Sequence, residues 1–528
     1  MNERASIPPI EQTIADERQR WARHYGVHPY FTRRSATVVR AYLDRYTRMG
    51  DVVLDPFGGS GVTAIEAFLM GRSGVQNDLN PFANFLAASI ADTRLASLLP
   101  LQKGFERVAD SCRERLDRLE NASENDVRQT LHEVPLPPNV HLHKTSDAER
   151  FYDLFTPRQL AALAILKQAI DTEPDESIRL PLLLAWSASA AKLNRTFISA
   201  KGRAESRGGA SIFSIYRYKL AKIPVELPLW KTFEGRYLNV LAAKKEVLSI
   251  RDQSERRDSN SQLDSQRHFR TLTVDAVDIA DTMGKESVDY IFTDPPYGAF
   301  IAYLDLSTLW NHWLGFKVSL AKRRSEIIVG GDLGLSEDLY KRRLAASLSA
   351  CVQTLKPDRW MSVVFQHWDV SYFETILRTL TDAGVVLKAA VTQEREVIWS
   401  MHKKKNAESM LAGEMILTFY KPVRLLTPAC ARESQGRYLT DLLDEILRAE
   451  SVGEITSQCL FNKLVLHAWE AQSLSHLTVN REAFVAELHK RGWRYDSRKH
   501  SWRHGQSLQD ELPLETGEMG CNIEEIEL

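Results

Sequence analysis

Apolar positions along this chain follow two rhythms. Val52-Val53-Leu54 is a short uninterrupted apolar run, read as a buried strand. Ile65–Met70 falls on the helix expected after it, and Ser73–Asp78 reads as a second strand. From Ala96 the rhythm becomes helical. Phe105–Leu119 and Thr156–Ile170 carry apolar residues at helical spacing, with Pro157 suited to a first turn. From His268 short apolar runs return. Strands are predicted over Thr271–Val274, Val288–Thr293, Met361–Gln366, Val385–Val391 and Met415–Tyr420, and helices over Ser336–Leu355 and Ser371–Ala383. Near the end, Tyr438–Leu447 and Arg481–Arg491 read as helices, the second with Asn480 as N-cap. Trp493–His504 reads as a hairpin turning near Ser497-Arg498.

Breaks in these rhythms suggest the organisation. Residues 1–20 are polar and charged, a loose lead-in or short helix. Lys201–Ala210 is rich in Gly and Arg without an apolar period and reads as a mobile loop. Arg251–Gln266 is polar and charged, the best linker. The simplest division is one α/β sheet domain of residues 21–95 and 265–425, interrupted by a mainly helical insert at 96–264 and followed by an α+β region at 426–528. The two sheet-domain pieces total 236 residues, an ordinary domain size.

Composition adds limits rather than a function. The 528 residues carry 68 Lys+Arg against 69 Asp+Glu, a net charge of −1, with 44% hydrophobic and 26% charged residues. Those values fit a globular protein and exclude wholesale disorder, collagen and coiled coil. The longest mostly apolar run, Leu180–Ala191, is too short to span a bilayer. The opening Met-Asn-Glu-Arg-Ala-Ser shows no basic region followed by an apolar core, so no secretory signal is expected. Cys112, Cys351, Cys430, Cys459 and Cys521 are scattered, which fits reduced thiols in a cytoplasm. His141 and His143 have no close acid or cysteine partner, and no metal site is expected.

Two motifs carry chemistry. Asp55-Pro56-Phe57-Gly58-Gly59-Ser60-Gly61 follows the first strand directly. Glycines there let a ligand approach the backbone, and the next helix offers free N–H groups. Asp78 closes the second strand, 23 residues after Asp55, where a carboxylate can accept both hydroxyls of a ribose. The spacing is not GxGxxG, which lowers the case for NAD, and no GKS/GKT follows, which removes a P-loop. The second motif is Asp294-Pro295-Pro296-Tyr297, at the end of the strand Val288–Thr293. Two prolines stiffen the strand exit, where open α/β sheets bind ligands. The Asp294 carboxylate and the Pro295 carbonyl become fixed acceptors beside the flat ring of Tyr297. That set suits the exocyclic amine of a planar base.

Together these motifs resemble the DNA amino-methyltransferases, which methylate adenine N6 or cytosine N4 with S-adenosylmethionine. DPFGGSG, followed by Val62-Thr63, resembles that family's cofactor motif, and DPPY its catalytic motif in the form more typical of adenine enzymes. The resemblance covers the sheet domain and implies a Rossmann-like doubly wound methyltransferase sheet. It also implies that Tyr30, Phe31 and Thr32, in His28-Pro29-Tyr30-Phe31-Thr32-Arg33-Arg34, pack on the methionine end of the cofactor. The cofactor set is completed by Asp55, Pro56, Phe57, Gly58, Gly59, Gly61, Asp78, Leu79, Asp275 and Ala276. Asp78 resembles the ribose-binding acid and Asp275 the acid that meets the cofactor adenine. Asp294, Pro295, Pro296 and Tyr297 are the expected catalytic residues. Leu355-Lys356-Pro357 resembles the family's LKPGG turn, with Asp358-Arg359 in place of the glycines. The insert, between Asp78 and Asp275, departs from the usual position after the third motif.

The partner implied is double-stranded DNA. Residues 192–258 hold 15 Lys/Arg and 7 Asp/Glu, with Phe213, Tyr216, Tyr218 and Trp230 interleaved. Phosphate neutralisation and stacking are the physical basis of nucleic-acid binding. Lys201, Arg203, Arg207, Arg217 and Lys219 are candidates there, and Lys403 and Lys404 in a second cluster between the last two strands. A third cluster is Lys322-Arg323-Arg324 with Lys341-Arg342-Arg343. Residues 510–528 hold seven acids and no base, a solvated tail. The expected function is N6-adenine methylation of DNA at specific sites, in a cytoplasmic, nucleoid-associated, restriction-modification or phage-defence setting. A partner nuclease would lie on another chain. The alternatives are cytosine N4, an RNA target, or a non-catalytic subunit that kept the fold.

Overall fold

The computed structural model describes residues 4–15, 23–198, 209–257, 268–394, 411, 413–424, 438–449, 454–479 and 481–504. The expected Asn480 cap, the loop at 201–208, the Lys403–Lys404 cluster and the acidic tail lie outside the described residues.

The strands, in chain order, are β1 (Val52–Asp55), β2 (Ser73–Asn77), β3 (Phe197–Ile198), β4 (Gly209–Ala210), β5 (Phe269–Leu272), β6 (Val288–Thr293), β7 (Leu355–Phe365), β8 (Val386–Glu394), β9 (Gly413–Lys421), β10 (Trp493–Asp496) and β11 (Ser501–His504). Seven of them form one sheet in the order β5-β2-β1-β6-β7-β9-β8. From β5 through to β7 the neighbours pair in parallel, and β9 joins β7 antiparallel. This is a doubly wound α/β sheet. Its order reverses between β1 and β6, which places a ligand crevice beyond the carboxyl ends of those two strands.

Both strands are buried and lack side-chain alternation, as a sheet covered on two faces requires. Strand β2 is tied in tightly. Gly74 lies where a Cβ would sit 2.0 Å from the Ala64 carbonyl oxygen, so the helix Val62–Leu69 rests directly on β2. The predicted boundary of β7 is corrected: it begins at Leu355 rather than Met361. Its ladder with β6 is irregular between Val288 and Tyr290, so Lys356-Pro357-Asp358-Arg359 bulges while remaining in the strand. Lys356 and Arg359 reach Asp289 of β6 at 2.8 and 3.0 Å. Asp358, where the LKPGG turn that this segment resembles has glycine, has φ 59°.

Two compact units divide the described residues. The first draws on 1–367, 375–393 and 415–430 and holds the sheet. The helices Leu99–Glu120, Pro157–Asp171, Glu176–Ala190 and Leu229–Arg257 share its core with the sheet. The expected linker at 251–266 is corrected in its first part, since residues 251–257 complete the last of these helices. The lead-in is not loose where it is described. Arg4 is buried, donating to the Tyr46 carbonyl at 3.1 Å and accepting from the Trp360 indole, and the Ile10 amide donates to the Tyr46 hydroxyl.

The second unit draws on 368–374, 394–414 and 431–528. The helices Leu439–Ala449, Ser457–Glu470 and Arg481–Lys490 close over Leu442, Leu460, Phe461 and Phe484. The predicted hairpin is present as antiparallel β10 and β11, with Trp502 buried and its indole donating to Ser457. No helix among the described residues is long and apolar enough to cross a membrane.

Candidate functional site

A cavity of about 930 Å³, its open mouth included, lies at the carboxyl ends of β1 and β6. The glycine turn after β1 forms its floor. Gly59 and Gly61 have φ 51° and 91°, the left-handed region that side chains disfavour. The turn is fixed from β2: Gln76 donates to the Gly59 carbonyl at 3.0 Å and Asn77 to the Pro56 carbonyl at 3.1 Å, while the Gly58 amide donates to the Asn77 carbonyl. A Cβ at Gly61 would lie 2.6 Å from the Ala87 Cβ. Gly61→Ala is therefore expected to lower folding stability by about 1–3 kcal/mol, from backbone strain and the clash together. Urea denaturation with an unchanged slope measures it.

Two acids stand over this floor. Asp55 is buried, accepting from the Phe57 amide at 3.1 Å and the Thr293 hydroxyl at 3.0 Å. Burial pushes its carboxyl up to about 7. Asp78 accepts from the amides of Gly59 and Asn80, each at 2.8 Å. Burial pushes it up to about 6, with those amides opposing the rise. Across the cavity Tyr30 stacks on Tyr303, centroids 6.4 Å apart, and the Tyr303 and Thr32 hydroxyls lie 3.2 Å apart.

Asp294 closes the far side. Its Oδ2 pairs with Arg34 at 2.6 Å, and its Oδ1 is buried without a hydrogen-bond partner. An orphaned buried carboxylate oxygen carries a desolvation penalty that a donor would relieve. The Tyr297 ring rests edge-on against Phe365, centroids 5.1 Å apart, and its hydroxyl accepts from Arg34.

The cavity wall includes thirteen of the residues singled out in the sequence: Tyr30, Thr32, Asp55, Pro56, Phe57, Gly58, Gly59, Asp78, Leu79, Asp275, Ala276, Asp294 and Pro296. Pro295 and Tyr297 are not among its lining residues. Gly61 caps the helix beneath, and Phe31 turns into the core beside Phe213 and Trp310. Asp275 faces the cavity with its carboxylate engaged, one oxygen accepting from the Val277 amide at 3.1 Å and the other from Arg343.

Arg33, Arg34 and Glu326 are among the wall residues that sequence reasoning missed. Arg33 ties the upstream segment to the glycine turn by donating to Ser60 at 3.2 Å. Arg34 reaches Asp294 of the Asp-Pro-Pro-Tyr tetrapeptide. Glu326 accepts from the Leu304 amide at 3.0 Å, and burial pushes its carboxyl up to about 8. The adjacent Arg33-Arg34 pair was visible, but nothing local says which acids it meets.

A second cleft of about 730 Å³ borders the turn after Tyr297. It is lined by Lys144, Tyr216, Arg217 and Phe300, among others. Phe300 is 61% exposed and Tyr216 38% exposed with φ 55°. The expectation that four interleaved aromatics offer stacking faces is corrected: Tyr218 and Trp230 belong to the core and Phe213 packs half-buried against it, which leaves Tyr216. Arg217 is paired with Asp147, and Lys219 is exposed. In the third basic cluster Arg323 pairs with Asp305 and Asp332, and Arg343 with Asp275. Lys201, Arg203, Arg207, Lys403 and Lys404 lie outside the described residues. Among those residues, no group of three or more His, Cys, Asp or Glu is placed to hold a metal ion.

Comparison with known proteins bears on the glycine-turn half of the site. Residues 10–87 match the family described as DNA methylase (N6_N4_Mtase). A type II methyltransferase of Methanocaldococcus jannaschii is 34% identical over 77 residues, which is 15% of this chain and 14% of that relative. Both matches agree with the resemblance to DNA amino-methyltransferases read from the sequence.

Proposed function

We propose that this chain, whose glycine-turn segment matches the DNA methylases, transfers a methyl group from S-adenosylmethionine to the N6 amine of adenine in double-stranded DNA. The single observation that carries the reading is the cavity itself, in which the glycine turn, Asp78 and Asp294 meet.

The residues present fit the cofactor. Asp55, Asp78, Asp275, Asp294 and Glu326 share the wall with Arg33 and Arg34, and a cationic ligand would draw the three acids that burial keeps raised toward their charged forms. The left-handed Gly59 places its backbone beside Tyr30, and a Cβ there would sit 3.3 Å from that ring. Asp78 would accept the ribose hydroxyls, and Tyr30, Thr32 and Phe57 would flank the methionine end. S-adenosylmethionine, when bound, supplies an electrophilic methyl group on a sulfonium.

The rest falls to the chain. A duplex hides the adenine amine, so the base must leave the stack to reach Asp294. Asp294 Oδ1 is the acceptor left open for an N–H of that amine, and the Pro295 carbonyl would take the second. Holding both hydrogens turns the nitrogen lone pair toward the methyl group, and Tyr297 offers its face to the ring. Catalysis is then largely positioning. Adenine is favoured over cytosine by the Asp form of the motif. The partners that would place this activity in restriction or phage defence would be separate chains. The test is transfer of tritium from labelled cofactor to DNA or RNA. Label entering duplex DNA supports the reading, and label entering RNA alone overturns the target.

The second cleft would receive the strand beside the extruded base. Phe300 stands at its edge, three residues past Tyr297, as an apolar group able to stack on a neighbouring base. Phe300→Ala is expected to slow transfer to duplex DNA about tenfold, from a stacking contact worth about 1–3 kcal/mol. Transfer to a single strand, where no stack is opened, should change little. Comparing rates on the two substrates measures the difference.

A further inference from the structure

We infer that Arg34 is a positioning residue that clamps the acid and the aromatic ring of the catalytic motif in one fixed relation; this rests on the methyl-transfer reading above. Arg34 precedes the helix Ala36–Tyr46 by two residues and lies 260 residues before Asp294. Its Nε donates to Asp294 Oδ2 at 2.6 Å, and an Nη of the same guanidinium donates to the Tyr297 hydroxyl. The Arg34 side chain is 14% exposed and that of Asp294 25%, so the pair is sheltered from water.

The way the guanidinium divides its donors matters. An arginine that served only to neutralise Asp294 would commonly grip both carboxylate oxygens with its fork. Here Nε and one Nη both lie 2.6 Å from the single oxygen Oδ2, and that Nη is shared with the phenol. Oδ1 is left over, buried and unpartnered. The carboxylate of this cavity-lining residue thus has one oxygen held by Arg34 and the other left without a donor. That unpaired oxygen is the acceptor an exocyclic amine needs.

The tyrosine is fixed by the same group. Its ring is braced edge-on by Phe365 and its hydroxyl is anchored by Arg34, so two points set the plane of the ring. A planar fork keeps acid and ring at a constant separation. Lysine, a compact point charge on a flexible stem, would retain the charge and lose that geometry. The preceding residue, Arg33, holds Ser60 of the glycine turn at 3.2 Å. Two neighbouring arginines thereby tie one short segment to the cofactor floor and to the acceptor acid, which aligns the two halves of the site.

Arg34→Lys and Arg34→Ala, made in the full chain, test the clamp. Misplacement of reacting groups by about 1 Å costs roughly a hundredfold in rate. Both variants are expected to lower kcat by about 10- to 100-fold, with KM for DNA and the calorimetric Kd for S-adenosylmethionine near wild type. Tyr297→Phe, which removes the anchored hydroxyl, should lower kcat in the wild-type background and add little in Arg34→Ala. Wild-type kcat in Arg34→Lys would overturn the clamp, because charge alone would then suffice. A rise confined to the KM for DNA would also overturn it, by making Arg34 a DNA contact. A joint fall in Tm and cofactor affinity would reduce it to a folding role. If the wild-type chain transfers no methyl group, the functional reading fails instead. The clamp is then judged from protein with 13C-labelled tyrosine: a single sharp Tyr297 resonance that broadens in Arg34→Ala supports it, and an unchanged resonance overturns it.

Discussion

Asp294→Ala is expected to lower methyl transfer to DNA by about 10²- to 10⁴-fold, the range lost when a positioned proton-handling or acceptor group is removed. Asp294 Oδ1 is buried and unpartnered, while Oδ2 is already held by Arg34. An amine placed against Oδ1 satisfies an acceptor that otherwise remains costly, so the interaction favours the correctly oriented base. Alanine removes the acceptor and also takes the carboxylate away from the Arg34 guanidinium. The cofactor is expected to bind with little change, because the glycine turn and Asp78 lie at the ends of β1 and β2. The loss should therefore fall on kcat, and single-turnover transfer beside cofactor calorimetry separates the two. Asp294→Asn, which keeps one carbonyl acceptor, should be impaired less than the alanine variant.

The second large effect concerns Asp78. Hydrogen bonds to a charged group contribute about 1.5–3 kcal/mol each, so losing two ribose contacts in Asp78→Ala should weaken cofactor binding roughly 10²- to 10⁴-fold. The same acid sets a pH dependence. Its folded pKa is raised to about 6, so it is mostly protonated below that value. A protonated carboxyl is a poorer acceptor for hydroxyl donors. Cofactor affinity should rise as pH increases through about 6 and then level off. Asp55, near 7, and Glu326, near 8, share the cavity and titrate above it, so further limbs belong to them. Asp78→Asn should remove the limb near 6 and leave the others. Isothermal titration between pH 5 and 8, a window that spans the value of about 6, tests the sign directly.

Much of this was legible in the sequence because it is local. A strand, its glycine turn and the next strand's terminal acid sit within Val52–Asp78, and the sheet order then brings them beside Asp294. The β7 boundary was hidden because Lys356-Pro357-Asp358-Arg359 has the composition of a turn, and only its pairing with Asp289 keeps it in the ladder. Arg34 was hidden for a different reason. Its partners lie 260 and 263 residues away, and no periodicity records such a contact. The interleaved aromatics misled because an aromatic between cations looks the same whether it faces solvent or core. Tyr218 is buried with its hydroxyl donating to the Leu306 carbonyl, at 2.6 Å, whereas Tyr216, two residues earlier, is 38% exposed.

The central claim is that this cavity delivers a methyl group to an exocyclic amine of DNA. Its most direct test is mass spectrometry of nucleosides from duplex DNA incubated with the full chain and trideuteromethyl-labelled S-adenosylmethionine. The account predicts labelled N6-methyladenine with the wild-type chain and almost none with Asp294→Ala. Labelled nucleoside in equal amounts from both would contradict it, as would no labelled nucleoside from a wild-type chain that binds the cofactor.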